Sequence, residues 1–306
     1  MKVGIISNVE SCIPLLQFLR SNSIETILYI GSYSKDTNIS SLISVCKSSN
    51  ISVEIEKQPA QLYDWIQSQQ LNYCFVYGYK KLIDMNRVGG FSKKIFNIHP
   101  GKLPQYRGAS PLFWQLRNGE KSIGLHIHFM NEKYDAGNIV WSKEIPVEPH
   151  FSFGLAEYIV SNALIEGVHF VLHSDSEELW EEGVVQNEKD AHTYQKPTLK
   201  DVLIDWQTMN AIAVVNLVRA CNPWNKGAIT LCNGMEIKIL DAEKLNVAAD
   251  NTIPGTIQET TDGILISCAS NSLVKVHQMS INGIFVPARF ADKFGIITGN
   301  CFSTPT

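Results

Sequence analysis

With 306 residues, 44% of them hydrophobic and 18% charged, the chain carries enough apolar material for one large domain or two, and its ordinary composition excludes disorder and fibrous structure. A net charge of -4 weighs against a protein that grips nucleic acid through its phosphates, which usually takes a basic surplus or stripe. Seven widely spaced cysteines with no C-x-x-C exclude a disulfide framework and a zinc site, and neither a signal peptide nor a membrane span is read in the chain, so a cytoplasmic protein with no membrane partner is expected.

The first half alternates short apolar runs with longer amphipathic ones. Residues 3–7 form a β-type run, and Leu15, Leu16 and Leu19 then recur at helical spacing. Residues 27–30 and 51–55 repeat the strand pattern, with helix candidates at 40–49 and at 60–69, where Leu62, Trp65 and Ile66 share a face. Residues 73–77 and 95–99 are two further strands, 123–129 and 139–145 a later strand pair, and 153–173 a long helix. This alternation predicts an α/β domain with a Rossmann-like open twisted sheet over residues 1–190, built from parallel β-α-β units. In such sheets ligands gather beyond the carboxyl ends of the strands. The polar, acidic stretch 174–197 reads as the exit from that domain, with a linker at 191–205. Residues 206–306 open with a helix ending at Cys221 and continue as short strands broken by turn signals such as Asn233-Gly234 and Asn282-Gly283. They predict a small, mostly-β, OB-like barrel.

The most informative stretch is FNIHPGKLPQYRGASPLFW. Asn97 and His99 stand two apart at a strand end, so their side chains point the same way. Prolines 100 and 104 stiffen the exit, and Gly101 and Gly108 let it turn tightly. A second piece, EKYDAGNIV, puts Asp135 on a loop where it can meet His99. His126 and His128 alternate on one predicted strand, but no clear third ligand accompanies them, so no metal is expected. No G-x-G-x-x-G follows the first strand, which argues against a dinucleotide cofactor.

Together these pieces resemble the folate-dependent formyltransferases, above all methionyl-tRNA formyltransferases and amino-sugar-nucleotide N-formyltransferases. The family pattern is Asn-x-His, a Leu-Pro-x-Tyr/Trp-Arg-Gly loop and an Asp-x-Gly about 36 residues after the His. Asn97, His99, Leu103 to Gly108 and Asp135-Ala136-Gly137 fill it, with Asp135 36 residues beyond His99. Arg219-Ala220-Cys221-Asn222-Pro223-Trp224 is similar to the start of the family's C-terminal domain, so the resemblance covers nearly the whole chain.

The resemblance implies transfer of a formyl group from 10-formyltetrahydrofolate to a primary amine, with no metal and no covalent enzyme intermediate. Asn97 and a protonated His99 would donate hydrogen bonds to the oxygen that gains charge, and Asp135 would fix the His99 tautomer and help move protons. It also implies a pterin cavity bounded by Tyr77, Gly78, Tyr79, Leu82, Tyr134, Ala136 and Gly137. Lys102, Tyr106 and Arg107, in the loop after the catalytic strand, are the candidates for contact with the acceptor; Arg107 serves equally well as a brace for that loop.

The acceptor is less legible. Methionyl-tRNA formyltransferases carry a strongly basic loop after the second strand, whereas GSYSKDTN here has one Lys and one Asp. From residue 201 onward seven Lys and Arg face nine Asp and Glu, leaving the second domain at -2. A small-molecule amine such as an amino-sugar nucleotide is therefore the favoured acceptor. Initiator methionyl-tRNA is the alternative, and water, giving a 10-formyltetrahydrofolate hydrolase, is a second. The oligomeric state is open, a homodimer included.

Overall fold

The alternating runs at the start of the chain assemble a single sheet. A computed structural model describes residues 1–31, 39–58, 60–249 and 252–305. Residues 32–38, which bear on the expected absence of a basic tRNA loop, lie outside the described residues. The chain divides into two compact units: Met1–Pro111, Ser122–Pro146 and Glu157–Tyr194 form the first, and Leu112–Lys121, Val147–Ala156 and Gln195–Thr306 the second.

The first unit contains strands β1 (Lys2–Ser7), β2 (Glu25–Ile30), β3 (Ser52–Ile55), β4 (Tyr73–Tyr77), β5 (Ile95–His99), β6 (Arg107–Gly108), β7 (Ser122–Phe129), β8 (Ile139–Pro146) and β9 (Thr193–Tyr194). Seven of them form a sheet in the order β3-β2-β1-β4-β5-β7-β8, and β6 pairs β9 separately. Strands β1 to β5 run parallel, but β7 is antiparallel to β5 and β8 to β7. The sheet is thus mixed where strand–helix alternation pointed to parallel units. Hydrophobic periodicity marks a strand but carries no information on its direction.

Helices α1 (Ile13–Ser21), α2 (Ser40–Ser48), α3 (Gln61–Ser68) and α4 (Met85–Val88) fill the connections. One sheet face packs Ile6, Tyr29, Cys74, Val76 and Ile95 against Leu62, Trp65 and Ile66 of α3. Val76 is paired with Asn97, so the catalytic candidate lies on this same face, on the strand beside the core residue. On the other side of β5, Phe96 is fully buried between Phe75 and Phe129, its ring 5.8 and 4.8 Å from theirs. The residue next to Asn97 thereby anchors the strand.

Helix α5 (Pro111–Arg117) and helix α6 (Phe153–Leu172) follow. Helix α6 is long and apolar enough to cross a membrane, contrary to the expectation that no segment would be. Its buried positions Ala156, Val160, Leu164, Val168 and Leu172 recur every fourth residue, the stripe of a core helix. The polar stretch read as a domain exit folds as α7 (Ser176–Glu182), capped by Asp175, and then runs on to β9.

In the second unit, α8 (Ala211–Cys221) is capped by Asn210, whose side chain accepts from the Ala213 amide. Strands β10 (Ala228–Cys232), β11 (Met235–Ala248), β12 (Ile257–Glu259), β13 (Ile264–Cys268), β14 (Ser272–Ile281), β15 (Ile284–Pro287) and β16 (Phe302–Ser303) form an antiparallel sheet ordered β12-β13-β14-β11-β10-β16, with β15 on β14. Asn233-Gly234 and Asn282-Gly283 make its tight turns, all four residues at positive φ as such hairpins demand. Trp206 is buried, donates to Thr230 Oγ1 at 2.8 Å and stacks on Phe302. Trp224 is 43% exposed and meets Phe113 edge-on, so it is a half-covered neighbour rather than a core anchor.

Replacing Phe96 by Ala should lower the stability of the protein by about 3–5 kcal/mol, the usual cost of emptying a buried aromatic position. Urea unfolding would show this as a reduced midpoint at unchanged slope.

Candidate active site

Strand β5 holds Asn97 and His99 on one face, and the antiparallel register sets His128 of β7 beside Asn97 and His126 beside His99. Asp135 reaches them from the loop between β7 and β8. Its backbone is left-handed at φ 51°, a conformation that Asp tolerates better than most residues. Asp135 Oδ1 accepts from Asn97 Nδ2 at 2.9 Å, and Oδ2 accepts from the Gly108 amide at 2.8 Å. His99 Nδ1 and His128 Nε2 stand 3.5 and 3.6 Å from the same Oδ1. The three residues singled out by the sequence therefore converge, and a fourth, His128, joins them.

The loop carrying Asp135 is held from behind. Gln186 Nε2 donates to the carbonyls of Asp135 and Gly137, both at 2.8 Å. Gln186 Oε1 in turn accepts from Arg107 Nε and Nη2 at 3.0 and 2.9 Å. The rest of the guanidinium pairs with Glu188. A Cβ at Gly137 would overlap the Phe129 carbonyl, so only glycine lets the loop close on β7 at this point. Gln186 and Glu188 went unnoticed in the sequence because they lie in the polar stretch that reads as a solvated linker.

The three candidates for acceptor contact sit in different settings, and Arg107 takes the second of its two expected roles. Arg107 is buried at 5% exposure, and its donors are spent on Gln186 and Glu188, so it braces the loop. Tyr106 is equally buried and stacks on Tyr194, with ring centroids 5.1 Å apart. Lys102 is half-buried, with its backbone and stem packed close to Gly124.

A cleft of about 370 Å³, counting its open mouth, is lined by Val76, Tyr79, Lys81, Leu82, Asn97, His128, Met130, Asn131, Lys133, Tyr134 and Asp135. Tyr79, Leu82 and Tyr134, expected to bound a pterin cavity, are among these lining residues. Tyr77 is buried, with its hydroxyl bonded to Ser11, and Gly78, Ala136 and Gly137 shape the loops without lining the cleft. Among the described residues no group of three or more His, Cys, Asp or Glu side chains is arranged to hold a metal ion.

Burial alone would raise the Asp135 carboxyl, but the neighbouring His99 and His128 and the Gly108 amide hold it below the usual carboxylate range. The neutral donors Asn97 and Gly108 favour the anion whatever the imidazoles carry. Burial lowers His99, against the pull of Asp135, with His128 and Arg107 acting in the same direction as burial. Its Nε2 lies 2.7 Å from the Tyr106 carbonyl, which can only accept, so Nε2 carries the proton. A neutral His99 then has an unprotonated Nδ1 beside the Asp135 carboxylate. The expected arrangement, in which a protonated His99 donates to substrate and Asp135 sets its tautomer, is not what this geometry offers: the Tyr106 carbonyl sets the tautomer and occupies the donor.

Two family models match the chain: formyl transferase over residues 31–157 and formyl transferase, C-terminal domain, over residues 197–284. Among sequence relatives, the methionyl-tRNA formyltransferase of Geobacter sulfurreducens is 33% identical over 209 residues, 67% of this chain and 61% of that protein. The match thus spans less than two thirds of that relative's length. Among solved structures, the fold is similar to WlaRD, a sugar 3N-formyl transferase crystallised in the presence of dTDP and 5-N-formyl-THF. The TM-score is 0.71 at 16% identity, covering 90% of this chain and 97% of that one. It is also similar to an N-formyltransferase from Helicobacter canadensis in complex with folinic acid and dTDP-3-aminofucose, with a TM-score of 0.71 at 15% identity over 90% and 98% of the chains.

His126 Nδ1 donates to the Gly101 carbonyl at 2.8 Å, and burial pushes its pKa down to about 4 despite that bond. The unfolded chain takes up this proton first, so the contribution is intact above about pH 6.5 and is lost as pH falls towards 4. His126→Asn keeps a donor for Gly101 and removes the titration. It should flatten the acid loss of stability by on the order of 1–3 kcal/mol, as measured by urea unfolding between pH 7 and 4.

Proposed function

We propose that this chain, which belongs to the formyl transferase family, moves a formyl group from 10-formyltetrahydrofolate to a primary amine. The observation that carries this reading is the convergence of Asn97, His99 and Asp135, with Asn97 and Asp135 lining a cleft walled by Tyr79, Leu82, Met130 and Tyr134 and His99 buried directly behind Asp135. Apolar and aromatic walls with a few polar groups suit a flat heteroaromatic ring, and the bound folate supplies the formyl carbon.

The protein's part is electrostatic and acid–base. An amine attacking a formyl carbon must lose a proton, and negative charge develops on the formyl oxygen. Asn97 Nδ2 is the donor at hand for that oxygen. The unprotonated Nδ1 of His99 accepts that proton, with Asp135 beside it stabilising the imidazolium, and returns it to the departing folate nitrogen as the formyl C–N bond breaks. Arg107, Gln186 and Glu188 keep Asp135 in position.

For the acceptor we favour a small amine on a nucleotide sugar. The second unit's sequence carries no cationic surplus for a tRNA backbone. Methionyl-tRNA is the second reading, favoured by the name of the sequence relative. Incubation with 10-formyltetrahydrofolate and a panel of dTDP- and UDP-amino sugars, beside initiator methionyl-tRNA, separates the two. Turnover of a sugar is expected; turnover of methionyl-tRNA alone would reverse the choice, and formate released at the same rate without any acceptor would point to hydrolysis.

Asn97→Ala and Asp135→Asn should each lower transfer by about 100- to 1000-fold, the usual effect of removing a preorganised charge-stabilising group. Because burial holds His99 below the ordinary imidazole value, the acid limb of kcat should lie below that of a free histidine. A limb at or above pH 7 in the pH–rate profile would contradict His99 as the base.

A further inference from the structure

We propose that His128 is a positioning residue that holds the Asn97 amide in the orientation used for transfer; this rests on Asn97 meeting the formyl oxygen, as argued above. His128 is buried at 2% exposure, directly across from Asn97 in the β5–β7 pairing. Its Nδ1 lies 2.7 Å from the Phe129 carbonyl. A carbonyl only accepts, so Nδ1 carries the proton, and the neutral ring has a free lone pair on Nε2. Asn97 Nδ2 stands 3.1 Å from that nitrogen and donates its second proton to it.

The opposite orientation of the amide is closed. Turned over, Asn97 would set Oδ1 against Asp135 Oδ1 at the 2.9 Å now spanned by a hydrogen bond, two acceptors facing each other. The direction of the amide therefore fixes the His128 tautomer as much as the Phe129 carbonyl does. The two constraints agree.

One hydrogen bond would not be enough to hold the amide plane. The terminal torsion of Asn is broad, so an amide tied only to Asp135 can swing about that bond. Two acceptors, one per N–H, remove the swing. The second proton rests on His128 Nε2, and a developing oxyanion, as the stronger acceptor, takes it over from the neutral imidazole. The chain of support continues backwards: the Phe129 amide donates to the Asn138 carbonyl at 3.0 Å, and Gly137 packs on the Phe129 carbonyl. The loop that presents Asp135 thereby also seats the carbonyl that orients His128.

Two substitutions separate this role from packing. In His128→Asn the amide can reach the Phe129 carbonyl but leaves no acceptor at the position of Nε2. In His128→Gln the acceptor returns to that position. With folding checked by thermal unfolding, His128→Asn should lower kcat about tenfold with KM for the formyl donor within about twofold, and His128→Gln should recover most of the loss.

An independent readout is the 15N spectrum of isotope-labelled full-length protein, with the His128 ring assigned by through-bond correlation to its own backbone amide. The Nδ1–H tautomer is expected, and an Nε2–H tautomer would overturn the inference even if neither variant folds. Unchanged kcat in His128→Asn, while Asn97→Ala is impaired, would overturn it too and leave the proposed function standing. Undiminished transfer by Asn97→Ala would instead remove the functional reading, and this inference with it.

Discussion

The site depends on one buried carboxylate being kept ionised. Asp135 is mostly removed from water, and in that setting an anion without partners would take up a proton. His99 and His128 act against this, and so do two neutral donors, the Asn97 amide and the Gly108 backbone N–H. Both donors come from the strand and loop that the Asn-x-His and Arg-Gly motifs define. The motif residues are therefore coupled by physics: each is needed for the charge on another.

From that carboxylate the rest of the arrangement follows. An ionised Asp135 beside an unprotonated His99 Nδ1 makes a nitrogen that gains stability on taking up a proton, while burial keeps it empty beforehand. Holding the carboxylate still requires the brace from Arg107 through Gln186 to the Asp135 and Gly137 carbonyls. Arg107 is thus buried and fully employed. An exposed arginine in this loop would suggest substrate contact; a buried bidentate one is a structural tie. Glu188 at its outer end lies at the surface, so it neutralises the guanidinium without adding a second buried charge.

Much of this was legible before any coordinates. Asn97 and His99 share a face because strand side chains alternate, and the strand itself was marked by a clean apolar run. The meeting of Asp135 with His99 came from the family pattern, since 36 residues of intervening chain say nothing about distance. His128 was visible only as half of an H-x-H pair, with metal binding as the one role considered. Its true neighbour depends on strand register and direction, which periodicity does not encode. Gln186 and Glu188 are hidden by a different effect: composition sees polar residues as solvated, whereas here Gln186 is buried between Arg107 and the Asp135 loop and Glu188 holds the outer side of Arg107. The membrane-like hydropathy of α6 is the mirror case, an apolar helix whose every-fourth-residue stripe is buried in the protein.

The same reasoning bears on which parts of the site can vary. Groups that bond backbone carbonyls, such as Gln186 and His126, set the position of chain segments and have no direct claim on the acceptor. The walls of the cleft, Tyr79, Leu82, Met130 and Tyr134, shape the space in front of Asn97 and Asp135. In the proposed reaction the triad meets only an amine nitrogen and a formyl carbon, so discrimination between acceptors falls to side chains beyond it. A reaction centre built from one strand pair and one braced loop can therefore serve a sugar amine or an aminoacyl amine with the same chemistry.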